Sequence, residues 1–228
     1  MTPAVAHSVA IAGPAGRLES LVEEPAPGEP RPLLAAVVCH PHPLFGGTLK
    51  NKVVHTLARA LRAGGAATLR FNFRGVGMSE GVHDGGTGEA DDALAAVAAA
   101  RDRWPSLPLL LAGFSFGGAI AIRAAAAAHP QWLICVAPAV DRIHLDDLLL
   151  PDCPWLIVQG DADEVVAPAS VVDWAARRAP LARLRLLPGV GHFFHGHLHD
   201  LADCVRAEWP PGLAHLGTVP DRLQPEPR

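Results

Sequence analysis

Alternation of strand and helix along most of the chain predicts an α/β fold, a mostly parallel central sheet with helices on both faces. Three observations carry this expectation. Short stretches such as LLAAVVCH (Leu33 to His40) form continuous apolar runs, as buried parallel strands do. Longer alanine-rich stretches lie between them. Glycines punctuate the joins, above all at Gly113-Phe114-Ser115-Phe116-Gly117, where an apolar strand runs into an alanine-rich helix.

Taken in order, residues 5–12 and 17–24 read as an amino-terminal antiparallel hairpin, followed by the loop PAPGEPRP. Leu33 to His40 is the first buried strand. Lys52 to Ala63 is a helix closed by Gly64 and Gly65. Ala66 to Phe73 is the next strand, and a glycine-rich loop runs from Arg74 to Gly88. Glu89 to Trp104 is a helix with acids in its first turn, which suits the helix dipole. A strand over 107–112 then leads through Ser115 into the next helix. Gln131 to Ala137 and Pro154 to Gln159 are short strands, and Ser170 to Ala179 is a helix. Ala182 to Leu187 is the last strand and Gly196 to Glu208 the last helix. Residues 1–209 are expected to form a single domain, and 210–228 a proline-rich irregular tail. The segment LDDLLL (Leu145 to Leu150) makes at most one short helix.

The 228 residues suffice for a full α/β core, and 50% are hydrophobic against 18% charged, which excludes a disordered chain. A net charge of −4 argues against a nucleic-acid partner, which needs a basic face. No apolar run reaches the roughly 18 residues of a membrane span. The start MTPAVAHSVAIAGPAG lacks the basic and apolar regions of a signal peptide. Cys39, Cys135, Cys153 and Cys204 show no paired spacing and read as small hydrophobes in a reducing compartment, so the expected location is cytoplasmic.

The five residues around Ser115 carry the chemistry. A sharp strand-to-helix turn needs small neighbours, and it pushes the serine hydroxyl out at the carboxyl edge of the sheet. A bland glycine-rich turn with a serine cap is the competing reading. A serine is a poor nucleophile alone; it needs a base in reach and an acid to orient the base. Asp161, Asp163 and Glu164 follow the strand PWLIVQ, in GDADEVVAP, and Asp141 follows the strand before it. A solvated loop or a helix cap is the alternative reading of these acids. The base candidate is His192, in a glycine-bracketed loop after the last strand, with His195 as competitor. His195, His197 and His199 fall at the start of the last helix and read as surface groups. Two backbone N–H groups must hold the oxyanion. Phe116 follows the nucleophile and supplies one. The loop PHPLFGGT supplies the other; Pro41 and Pro43 have no N–H, which leaves Leu44, preferred, and His42.

HPHPLFGGT, FNFRGVGMSEG, GFSFGG, QGDADEVV and GVGHFFHG, in this order, resemble the small bacterial α/β-hydrolases without a lid, with their dienelactone-hydrolase-like and serine-aminopeptidase-like relatives. The resemblance spans about residues 20–208. It implies the α/β-hydrolase fold without a cap domain, the chain order Ser, Asp, His, and the triad Ser115, Asp163 and His192, with the pattern G-x-x-D-x-x-V selecting Asp163 over Asp161. Pro41 departs from the family's usual H-G-x. The resemblance implies no substrate; the triad points to serine-dependent acyl transfer through an acyl-enzyme, and an open cleft without a cap suits short carboxylic esters or thioesters, with peptidase-like or dienelactone-type chemistry as the alternative. Such an enzyme takes a small-molecule acyl substrate and needs no cofactor or metal. Residues 138–153, between two strands, are too few for a cap.

Three rival readings are weaker. His40-Pro41-His42 and His195-Gly196-His197 lack the acid and third histidine of an H-x-H-x-D-H metal site. The glycines after FNF are out of register for G-x-G-x-x-G, so no dinucleotide site is expected. Arg74 there reads as structural, paired with a loop acid. An idle hydrolase fold used as an interaction module has no reason to keep all three groups. Phe45, Phe114, Phe116, Phe193 and Phe194 either line the acyl site or fill the core.

Overall fold

Strand β3 (Leu34–Cys39) shows why the sheet is covered on both faces. Ala35, Val37 and Cys39 pack into one apolar cluster and Leu34, Ala36 and Val38 into the other. The structure, a computed structural model, describes residues 4–143, 145, 148–149, 151–177 and 182–208. Among these, β1 (Ala4–Gly13) and β2 (Gly16–Pro25) form the expected antiparallel hairpin. β2 pairs antiparallel with β4 (Ala66–Phe71). From there the sheet is parallel, through β3, β5 (Leu109–Phe114), β6 (Trp132–Val136), β7 (Trp155–Gly160) and β8 (Ala182–Leu187). The order is β1-β2-β4-β3-β5-β6-β7-β8. The mostly parallel sheet with flanking helices is the α/β-hydrolase arrangement.

Helices α1 (Lys52–Ala63) and α5 (Leu198–Ala207) cover one face, burying Val54, Leu57, Leu61, Leu201 and Val205. Helices α2 (Thr87–Arg103), α3 (Phe116–Ala128) and α4 (Pro168–Ala176) cover the other. Asn51 starts α1 by accepting the Val53 and Val54 amides. Gly64 ends it where expected.

Several boundaries shift for identifiable reasons. β5 lies over 109–114 rather than 107–112, because its pairing with β6 continues through Gly113 and Phe114. α2 starts at Thr87, before Glu89, since the Glu89 carboxylate reaches back to the Gly86 N–H at 2.7 Å. Glu89 is thus the expected first-turn acid facing the dipole, and also a buried cap. α4 opens on Pro168 at its first position, where proline has no N–H to lose; its expected end, Ala179, lies outside the described residues. α5 starts at Leu198, after Gly196 turns the chain at φ +77°. The tail 210–228 and most of LDDLLL also lie outside the described residues. Arg74 binds chiefly Asp92 of α2, through two oxygens at 2.8 and 3.0 Å, while the loop acid Asp84 is 3.5 Å away. Among the described residues, no helix is long and apolar enough to cross a membrane.

Candidate active site

All the parallel strands end on one edge, and the loops after β3, β5, β7 and β8 converge there. Ser115 sits between β5 and α3 at φ 56° and ψ −118°, a left-handed region that a side chain rarely adopts. The surroundings hold it there. Its N–H donates to the Val136 carbonyl at 2.8 Å, and its carbonyl accepts the Ala119 and Ala139 amides. A Cβ on Gly117 would overlap the His40 carbonyl oxygen, and one on Gly113 would overlap the Gly117 carbonyl. The start of α3 therefore lies directly against the end of β3, which only glycine permits.

His192 comes from the loop between β8 and α5 and is 3% exposed. Its Nε2 lies 3.0 Å from Ser115 Oγ, and its Nδ1 2.8 Å from Asp163 Oδ2. An ionised carboxylate only accepts, so Nδ1 carries the hydrogen and Nε2 is left to accept from the serine. The ring packs beside Phe114 at 5.0 Å and Phe193 at 5.1 Å. Its loop is fixed from below. The His192 N–H donates to Glu164 at 3.2 Å, and a side chain on Gly160 would overlap the Val190 carbonyl.

Asp163 is itself fully engaged. Oδ1 accepts the Val165 and Val166 amides, each at 2.8 Å, and Oδ2 accepts Gln159 Nε2 at 2.9 Å as well as His192. Burial pushes its pKa up, but the His192 ring and the two amides outweigh this and hold it below the ordinary carboxylate range. The other acids have different work. Asp161 accepts the Gly189 amide at 2.6 Å, Glu164 braces the histidine loop, and Asp141 is exposed after β6. His195 is exposed, and His197 pairs with Asp200 at the start of α5.

The Phe116 N–H is the first of α3 and has no acceptor within its own helix. Leu44 requires a correction. Its N–H is turned onto His42 Nδ1 at 3.2 Å, the residue is 70% exposed, and it does not line the cleft. A 3-10 turn over Pro43–Phe45, capped by the His42 side chain, rotates it away. His42, the alternative, does line the cleft, with its ring 4.9 Å from Phe116.

Two buried groups behind this loop have roles that the sequence did not show. His40 is fully buried. It donates from Nδ1 to the Pro41 carbonyl at 2.6 Å and accepts the Phe73 N–H on Nε2 at 3.0 Å. Burial drives its pKa down to about 4. Between about pH 6.5 and about pH 4 the unfolded chain takes up a proton that the folded chain refuses. Stability should therefore fall with pH in that window by about 1.4 kcal/mol per unit, and level off below it. His40→Gln should lose that slope; urea midpoints at pH 7 and pH 5 check this, and an unchanged slope would assign the proton elsewhere. Glu89, also fully buried, accepts from His83 at 2.7 Å, and the His83 ring lies 4.9 Å from His42. Glu89 stands beside Asp91 and Asp92 in the sequence, so nothing local marks it as the buried one; a polar Gln159 ending an apolar strand was the available signal near Asp163.

Ser115, His192 and Phe116 open onto a cleft of about 570 Å³, lined also by Phe45, Phe193 and Ile143. Of the five phenylalanines in question, Phe45, Phe116 and Phe193 line the cleft, while Phe114 and Phe194 are buried in the core.

The serine aminopeptidase S33 family matches residues 44–150, which include the elbow but end before Asp163 and His192. An α/β serine hydrolase without lid from Xanthomonas campestris is 42% identical, with a TM-score of 0.84 over 91% of this chain and 94% of its own. An α/β serine hydrolase homologue from Coxiella burnetii is 40% identical, with a TM-score of 0.84 over 92% and 98%. An uncharacterized protein of Rickettsia prowazekii is 36% identical over 205 residues, 85% of this chain and 84% of that one. With this likeness running almost end to end in both structure and sequence, the chain belongs to the α/β serine hydrolases without a lid.

Proposed function

We propose that the protein hydrolyses short carboxylic esters or thioesters through an acyl-enzyme on Ser115. One observation carries the reading: the unbroken hydrogen-bonded chain from Ser115 Oγ through His192 to Asp163, at 3.0 and 2.8 Å, at the floor of an open cleft. His192 Nε2 takes the serine proton as Oγ attacks the carbonyl, then gives it to the leaving group. Water repeats the sequence on the acyl-enzyme. Asp163 fixes the ring and favours the imidazolium that forms. The developing oxyanion is held by the Phe116 N–H, at the positive end of α3, and by the His42 N–H in place of Leu44. The free cysteines, three of them buried, suit a reducing cytoplasm.

Among the described residues no cap closes the cleft over a long chain. Acetyl to butyryl p-nitrophenyl esters should therefore turn over faster than the palmitoyl ester, as initial rates will show; the reverse order would count against an open acyl site. A parallel panel of ester, thioester, amide and lactone bonds separates the esterase reading from peptidase-like and dienelactone-type chemistry.

A further inference from the structure

Apart from His42 and His192, the cleft presents a single ionisable side chain among its described lining residues, Arg142, and no carboxylate. The rest of the wall is largely phenylalanine, valine, isoleucine and glycine. Arg142 stands in the turn after β6, where its amide and that of Ile143 both donate to the Ala139 carbonyl at 3.2 Å. The guanidinium crosses to the neighbouring loop and donates from one nitrogen to the Val165 carbonyl at 2.7 Å. Val165 in turn donates its own N–H to Asp163. The cation is therefore registered against the same loop that carries the proposed triad acid. Its field reaches across the cleft. Burial is the main cause holding the His42 pKa below its ordinary value, with His83 and Arg142 adding to it.

We propose that Arg142 forms an anion subsite, so that the preferred substrates are esters or thioesters carrying a carboxylate on the acyl or the leaving side. This rests on the hydrolase reading above. A guanidinium has five N–H donors in a planar fork, and the tether to Val165 uses one of them. Tethering costs it rotamer freedom before substrate arrives, so less is lost when a carboxylate binds. Arg142 is itself exposed, so the strength of such a pair rests on the held geometry of the fork rather than on burial. Apolar contacts would hold the carbon skeleton while the cation selects the charged end. A simple strut between two loops would use the same bond to Val165 without discriminating among substrates.

The test uses the full chain and two pairs of esters that differ in one charge. The first is p-nitrophenyl monoadipate against p-nitrophenyl methyl adipate. The second is 4-acetoxybenzoate against its methyl ester. The quantity read is the charged-to-neutral ratio of kcat/KM. In at least one pair the wild-type ratio should exceed that of Arg142→Gln by about threefold to tenfold, as a charge-assisted hydrogen bond at an exposed site implies. Arg142→Lys should recover part of it, and added salt should lower the wild-type ratio. The pair that responds tells which side of the scissile bond carries the anion. Equal ratios in wild type and Arg142→Gln for both pairs overturn the subsite, including a uniform fall of both substrates, which is the strut outcome. Absence of all turnover together with failure of a fluorophosphonate to label Ser115 overturns the hydrolase reading instead.

Discussion

Ser115→Ala should lower ester turnover by about 10⁴- to 10⁶-fold and abolish labelling by a fluorophosphonate probe. The expectation follows from what the substitution leaves behind. His192 and Asp163 remain in place, but no oxygen is left for Nε2 to deprotonate and no acyl-enzyme forms. The Phe116 amide and the cleft still bind substrate, so the residual rate should stay above that of water alone. Folding should survive, because Ser115 is held by its backbone bonds to Val136, Ala119 and Ala139 and its side chain makes no cap. A gel with the probe and a p-nitrophenyl acetate assay read both outcomes. Wild-type turnover in the alanine variant would end the proposal. It would favour a different nucleophile, whereas failure of the probe to label the wild type, together with no measurable turnover, would favour an idle fold.

Asp163→Asn should cost about 10⁴-fold in kcat while leaving the fold intact. Asp163 presents Oδ1 to two backbone amides and Oδ2 to His192 and Gln159. Asparagine keeps its oxygen on the amides and therefore turns its NH₂ toward His192. The ring must then accept on Nδ1, which moves its hydrogen to Nε2 and leaves nothing to receive the serine proton. Gln159 donates from Nε2 to both Asp163 and the Gly160 carbonyl, so an amide flip that aims its unpartnered Oε1 at the new donor gives up the Gly160 bond. The loss should thus appear chiefly in kcat, with a small fall in the thermal midpoint for the one weak bond given up. A rate within tenfold of wild type would place the orienting acid elsewhere, with Asp141 and Glu164 the next to replace.

How far the chain could be read beforehand depended on what each residue had to satisfy. Strands β3 and β7 were plain because both of their faces are covered, which leaves runs such as LAAVVC and WLIVQG apolar at nearly every position. Helix α1 was plain at both ends because Asn51 and Gly64 are local signals. The meeting of Ser115 with His192 was legible as far as strand ends go, since every parallel strand delivers its loop to one edge. Residues whose role depends on the direction of a bond were not. Leu44 and His42 lie two positions apart, and only the turn over Pro43–Phe45 shows which amide is consumed by the His42 ring. Arg142 carries no local signal, because the loop holding Val165 comes beside it only in the fold. Glu89 was legible as a first-turn acid, but sequence cannot show that its carboxylate is walled in and caps Gly86.

The positive φ at Ser115 has a consequence for how this position can vary. Torsions of that kind disfavour every side chain by about 1–3 kcal/mol and cost glycine almost nothing. The residue best suited to the backbone at 115 is therefore one that has no hydroxyl. Selection for a sturdier protein and selection for a reactive one pull this single codon in opposite directions, and the serine marks which of the two has prevailed.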